Sequence, residues 1–313
     1  MVNAHAQDDL GDFLIADLDD ASLLITNYMS PLDKGFGYAA GTGWYNSAKT
    51  HSMGFDLTAM VGAAFVPSKA HFTRFVQSEY NDLELLFPAD NNVPTVFGPE
   101  EIIPEYRVTS TGETFEAPGG NSLEEEFGYE AIPFPMLQLG VGVIPHTDVK
   151  FRFMPLVEFD DDFEARMWGV GIQHHINNYF PSGDELLFDM SLFVGYTAIN
   201  SEIHITDTYP GDDQLGVQGL NVWNIDGVIS YDLSVFTFFG AIGYNRVTSN
   251  LELQGSYDIG AEILQDPIDT KTNYSGIKAA AGLRIKVAIF SLHGEYTYND
   301  YSMVTVGFGL SVN

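Results

Sequence analysis

Five of the 13 basic residues lie in two stretches of strict alternation, DVKFRFMP (148–155) and GIKAAAGLRIKV (276–287). Lys150 and Arg152 share one face of the first; Lys278, Arg284 and Lys286 share one face of the second. Side chains two apart in an extended chain point the same way, so each set presents its cations together while Val, Phe, Ala and Ile point oppositely. A third stretch, FSLHGEYTYN (290–299), adds His293 and Glu295 on its polar face. Clustered Lys and Arg can hold a carboxylate or phosphate through charge-assisted hydrogen bonds. These residues form the candidate ligand-binding set, for an anionic solute or a fatty-acid carboxylate. The competing reading is structural. The cations then pair with carboxylates of neighbouring strands (Asp56, Asp189, Asp226, Glu295) or with an acidic N-terminal segment.

The elements that carry these residues are strands. Period-two alternation recurs in SMGFDLTAMVGAAFVP (52–67), PMLQLGVGVIP (135–145), LFDMSLFVGYTA (187–198) and the C-terminal VTVGFGLSV (304–312). One face of each is apolar. The other is mostly Gly, Ser and Thr with isolated charges, which suits a crowded lumen better than a surface in bulk water. The apolar face then meets lipid, with Tyr196, Tyr244, Tyr296, Tyr298, Trp168 and Trp223 as interfacial anchors. SVFTFFGAIGYN (234–245) and AIFSLHGEYTYN (288–299) match in face register, as two equivalent hairpins would.

The expected fold is all-β: an antiparallel transmembrane β-barrel of about twelve strands, with fourteen as the alternative, behind an N-terminal helical plug. Nine strands are placed between 136 and 312 and one at 52–66; FTRF, LELLF, PEYRVTS and ETFEAP within 67–132 are expected to supply the rest. A barrel with both termini on one side needs an even count. Long acidic connections at 158–163, 200–216 and 250–272 fall on one side. Residues 8–30 show helical spacing that Pro31 should end, and 34–50, rich in Gly and aromatics, should be looped. Asp12, Asp17, Asp19 and Asp20, with Asp8 and Asp9, are the plug residues expected to face the lumen cations. Residues 1–7, which contain the A-x-A site Ala4-His5-Ala6, are read as the end of a signal peptide, 8–50 as the plug and 51–313 as the barrel.

Composition narrows the function classes. A net charge of -30 opposes binding to nucleic acid, while 45% hydrophobic and 13% aromatic residues exclude a disordered acidic chain. There are no cysteines, hence no disulfide framework or thiol nucleophile. No nucleophile elbow, P-loop, HExxH or EF-hand pattern occurs, so no enzyme, cofactor or metal site is predicted. The pair His174-His175 points to opposite faces and reads as a turn. The acidic runs 123–130 and 158–164 could hold calcium loosely, but solvated loops explain them as well.

The phrases KGFGYAAGTGWYNSAKTHSMGFDLTAMVGAAFVP, NVPTVFGPE, MLQLGVGVIPHTDVKFRFMP and WGVGIQHHINNYFP resemble a family of uncharacterised outer-membrane proteins from Bacteroidota. In layout the chain is more distantly similar to fatty-acid-transporter-like barrels, which carry an N-terminal hatch. The resemblance implies a barrel in the bacterial outer membrane, in contact with its lipid.

The expected function is to bind or pass a small hydrophobic or anionic solute through the plugged lumen. The alternative is a non-transporting barrel that serves an envelope protein partner in secretion or envelope organisation.

Overall fold

The computed structural model describes residues 9–51, 53–121, 131–158, 163–181, 183, 186–204, 210–259 and 263–312. The signal-peptide reading of 1–7, Asp8, and the acidic runs at 123–130 and 159–162 lie outside them.

A 3-10 turn, Asp9–Ile15, leads into helix α1, Leu18–Ala39. The strands follow in chain order: β1 Phe55–Phe65, β2 Phe72–Arg74, β3 Leu83–Phe87, β4 Asn92–Pro94, β5 Glu105–Val108 and β6 Thr114–Glu116. Next come β7 Ala131–Ile144, β8 Thr147–Glu158, β9 Phe163–His175, β10 Asp189–His204, β11 Leu215–Leu233 and β12 Phe236–Gln254. The last are β13 Ser256–Asp258, β14 Ile263–Gln265, β15 Ile268–Val287, β16 Phe290–Tyr298 and β17 Ser302–Val312.

Ten strands close into an antiparallel barrel in the order β1-β17-β16-β15-β12-β11-β10-β9-β8-β7, with β7 pairing back to β1. The expected twelve is therefore corrected to ten. The nine strands between 136 and 312 and the one at 52–66 are all in the wall; the candidate strands of 67–132 are not. They form β2, β3, β5 and β6, which with β4 pair only among themselves as a two-stranded and a three-stranded sheet. These strands span 3–5 residues, too short for the 9–11 that a tilted membrane strand needs.

The barrel has two unlike ends. At one end strands join by tight turns, as at Leu233–Phe236 and Val287–Phe290, and both Phe55 and Val312 lie there, paired to one another. The long connections gather at the other end, apart from 176–188, which joins β9 to β10 at the short-turn end, while 299–301 is a short turn among the long ones. In outer-membrane barrels short turns face the periplasm and long loops face outward.

Outward side chains form an apolar belt: Leu57 and Val61 on β1, Phe151 and Phe153 on β8, Ile225 and Ile229 on β11, Val306 and Phe308 on β17 are all exposed. Trp168, Tyr196 and Trp223 form a contiguous aromatic row above it, with centroids 5.5 and 5.0 Å apart. Beyond that row the polarity of the faces exchanges. On β12, Phe238 and Ile242 point out below Tyr244, but above it Val247, Leu251 and Leu253 point in and are buried. The same happens on β11, where Leu220 and Val222 are buried. The wall is thus lipid-facing below the row and a water-facing sheet with an apolar inner face above it.

That inner face covers α1. The helix runs through Pro31, where the sequence suggested it would stop, and continues to Ala39. Pro31, Leu32, Asp33, Gly35, Gly37 and Tyr38 are all buried, so tertiary packing outweighs the lost backbone hydrogen bond. The main apolar core lies at this long-loop end, between α1, the 3-10 turn, the β2–β6 sheets and the upper wall. Among the described residues no helix is long and apolar enough to cross a membrane; the chain crosses with strands.

Candidate functional site: a lumen held by its own backbone

After α1 the chain turns down the inside of the barrel. Residues 40–51 carry it from the long-loop end to the start of β1, and inward side chains from around the wall bond to them. Arg152 Nη1 donates to the Ala40 carbonyl at 2.9 Å and Nη2 to the Thr42 carbonyl at 3.0 Å. Lys150 Nζ donates to the Trp44 carbonyl at 2.7 Å, which Gln138 also reaches at 3.2 Å. Lys278 and Asn224 both donate to the Gly41 carbonyl, at 2.7 and 3.2 Å. Lower down, Gln173 donates to the Ser47 carbonyl, and the Ala48 N–H donates to Ser230 Oγ. The Gly41 and Thr42 N–H groups bond back to the Tyr38 and Ala39 carbonyls; extended backbone has few such bonds of its own, so in a water-poor lumen the wall supplies the carbonyls' partners.

Small residues allow this approach. A Cβ on Gly41 would stand 2.4 Å from Asn245 Nδ2, and Gly43 sits at φ +67°. Trp44, with no solvent exposure, packs at 5.1 Å between centroids against Phe193, and its ring carries the Arg152 guanidinium at 3.4 Å. Gly171 and Gly195 face the Trp44 and Phe193 rings, where a Cβ would meet carbon at 2.7 Å.

All the candidate ligand-binding residues face inward. Lys150, Arg152 and Lys278 hold the backbone of 40–44. Lys278 also pairs with Asp226 at 2.9 Å. Glu295 accepts the Gly43 N–H at 3.0 Å and the Thr297 hydroxyl at 2.9 Å. His293 is buried with neither ring nitrogen partnered. Arg284 lies 3.8 Å from Asp56, and Lys286 donates to Ser311 Oγ at 3.1 Å.

Of the acidic residues expected to meet these cations, Asp17, Asp19 and Asp20 do otherwise. Asp17 caps α1, accepting from the Asp19 N–H, and both are exposed. Asp20 is buried and accepts the Asn81 and Asp82 N–H groups at 2.8 Å each, tying α1 to the outer loops. Asp12 lies in the 3-10 turn beside them. The cations' acceptors are therefore mainly peptide carbonyls of 40–44, which no charge pattern announces. Asp33, outside the membrane-spanning segments, is buried against Gln218 and Tyr274. Burial, only partly offset by hydrogen bonds with Ser249 and Tyr274 and by the charge of Lys34, pushes its carboxyl up to about 7.

Beneath Trp44, at the short-turn end, a cavity of about 360 Å³ is lined by charged groups that include Asp56, Asp148, Lys150, Asp232, Arg284 and Lys286. Sequence reasoning did not find Lys49, His51, Asp148 or Asp232 here; Lys49 pairs with Asp232 at 2.8 Å and His51 with Asp148 at 2.8 Å. The inward amides Gln138 and Gln173 were the available signal, being polar side chains on the small faces of apolar strands. His174 and His175 serve separate partners, Thr147 and Asp189. Among the described residues, no group of three or more His, Asp or Glu is placed to hold a metal ion.

Solved structures of similar fold are barrels. The translocator domain of autotransporter NalP from Neisseria meningitidis has 8% identity and a TM-score of 0.31, covering 84% of this chain and 89% of that one. The outer-membrane protease OmpT from Escherichia coli has 9% identity and a TM-score of 0.32, covering 85% and 98%. The toluene transporter TodX from Pseudomonas putida has 7% identity and a TM-score of 0.27, covering 83% and 90%. At these values the likeness carries nothing about activity. No curated protein matches the chain. The closed wall, its apolar belt and its aromatic row make this a β-barrel of the bacterial outer membrane. A family of unknown function, DUF6588, matches residues 1–312, and the chain belongs to it.

Proposed function

We propose that the protein passes a small anionic solute across the outer membrane, with residues 40–51 as the removable stopper of its lumen. The supporting observation is the attachment of that segment to the wall: hydrogen bonds from Arg152, Lys150, Lys278 and Gln173, with no cysteine available for a covalent cross-link to the wall. Hydrogen bonds of this kind exchange for solute or water at modest net cost. The cations bonded to backbone carbonyls become anion ligands when the segment withdraws. The inward faces at membrane depth are largely polar, which favours an anionic over a hydrophobic solute.

A second reading is favoured by the same bonds taken together. A segment held from so many strands suits a permanently closed barrel that serves an envelope partner.

The absence of native cysteine gives a clean test. Thr42 Oγ1 and Thr305 Oγ1 are 3.1 Å apart, so Thr42→Cys with Thr305→Cys places two thiols to bridge segment and wall. In liposome-swelling measurements with potassium acetate and phosphate, the reduced protein should admit the anions and the oxidised protein should not. Entry equal in both states refutes withdrawal of the segment. Absence of entry in both the reduced double variant and the wild type favours the closed-barrel reading.

A further inference from the structure

The cavity beneath Trp44 lies alongside the bonds that hold the segment, and its charges are unevenly satisfied. Asp148 is occupied by the His51 N–H and ring nitrogen, each at 2.8 Å. Asp232 is occupied by Lys49 at 2.8 Å and by the Thr237 hydroxyl. Asp56 Oδ1 accepts the Thr58 hydroxyl at 2.6 Å, while its Oδ2 has no hydrogen-bond partner. Arg284 is only 8% exposed, and its Nε and Nη2 are both buried without a hydrogen-bond partner. Its approach to Asp56, at 3.8 Å, is too long for a hydrogen bond. Nε and Nη2 form the side-on fork of a guanidinium, whose spacing matches two oxygens of one carboxylate or phosphate group. Lys150 and Lys286 line the same cavity; Lys150 Nζ donates to the neutral Trp44 carbonyl, and Lys286 donates to Ser311 Oγ.

We infer that this cavity is a binding site for a small oxyanion, a carboxylate or phosphate group, gripped by the Arg284 fork and flanked by Lys150 and Lys286. The volume of about 360 Å³ accommodates such a group together with a short organic body. Asp56 is the internal competitor. It holds Arg284 loosely when the site is empty and yields when a better-placed pair of oxygens arrives. The inference deepens the solute reading and rests on it for the physiological ligand. Binding itself requires no movement of residues 40–51, because the cavity is open with Asn46, Ser47 and Lys49 to His51 in place along its wall.

The test is calorimetric titration of inorganic phosphate and, separately, acetate into the full chain in detergent, with folding of every variant checked by heat-modifiable gel mobility. Wild type should bind at least one of the two anions. Arg284→Gln should bind it at least about tenfold more weakly, through loss of the bidentate contact. Asp56→Asn, which removes the competitor, should bind it more tightly. A purely structural role for Arg284 does not predict that opposite shift. The site is overturned if neither anion binds wild type, or if Arg284→Gln binds as wild type does. Binding that fails while anions still enter liposomes removes this site and leaves passage standing. Binding that succeeds in a non-conducting barrel does the reverse.

Discussion

The guanidinium of Arg152 lies against the face of Trp44, its carbon 3.4 Å from the ring centroid, while its amino groups bond the carbonyls of Ala40 and Thr42 and the side chain of Gln138. One side chain of the wall thus fixes both the main chain and the bulkiest ring of the lumenal segment. Lysine has neither the fork nor the plane to do this. Arg152→Lys should destabilise the barrel by about 2–4 kcal/mol, as expected when a buried charged hydrogen-bonding group loses its geometry. The check is denaturant unfolding of detergent-solubilised protein, followed by tryptophan fluorescence.

The Trp44 seat depends on the missing side chain at Gly195, where a Cβ would meet Phe193 at 2.7 Å and Trp44 at 3.1 Å. Gly195→Val should expel the indole or shift Phe193, at about 1–3 kcal/mol for overpacking. A red-shifted Trp44 emission, read in a variant whose Trp168 and Trp223 are replaced by Phe, reports the displacement.

Asp33 gives the long-loop end a pH dependence of defined sign. Its carboxyl is held up to about 7 in the folded protein, against 3.8 for the free side chain. The contribution is fully favourable below about pH 4 and is lost as pH rises toward 7, by about 4 kcal/mol at 1.36 kcal/mol per unit. Asparagine can keep the hydrogen bonds to Tyr274 and Gln218 without the charge. The stability difference between wild type and Asp33→Asn should therefore grow in favour of the variant between pH 4 and 7 and stay level above. Equal slopes for the two proteins would contradict this.

Two short-turn hairpins carry non-glycine residues with positive φ, Ser234 at 59° and Ala288 at 54°. Alanine pays a steric cost there that glycine does not. Ala288→Gly should raise barrel stability by about 0.5–1 kcal/mol, measured by unfolding in detergent.

Ile225 sits in the apolar belt, 59% exposed, one turn of alternation below Trp223. Ile225→Arg should weaken folding into bilayers by up to about 2–4 kcal/mol, the depth-dependent cost of a lipid-facing cation. Asn250, outward on the same sheet but beyond the aromatic row, should tolerate Arg with little change. The contrast between the two sites is the measurement.

The sequence carried the wall well. Ten strands, the outward rows, the aromatic anchors and the inward cations are all readable from period-two alternation, because each position at membrane depth meets either lipid or lumen. Legibility failed where that contrast changed. Above Tyr244 the alternation persists with its faces exchanged, so 250–254 and 268–272 read as loop although both are strand. Residues 72–75 and 83–87 have strand composition, but whether a strand joins the wall or a small outer sheet depends on partners and length, not on composition. Pro31 misled because its cost is local and its compensation is not. The partners of Arg152 and Lys150 were illegible for a simpler reason: a backbone carbonyl is present at every position and distinguishes none.

The pairing of β1 between β17 and β7 has a bearing on biogenesis. Strands β7 to β17 contribute nine walls to the ring, and the first and last of nine antiparallel neighbours run in the same direction. They cannot zip to each other in the antiparallel sense, so β1 is the keystone. It is also the strand tethered directly to residues 40–51. The helix and outer sheets stand at the far mouth, across the ring from the end where β1 begins. The wall must therefore be stitched shut around a chain already lying in its middle, and the last stitch is the strand that chain leads into.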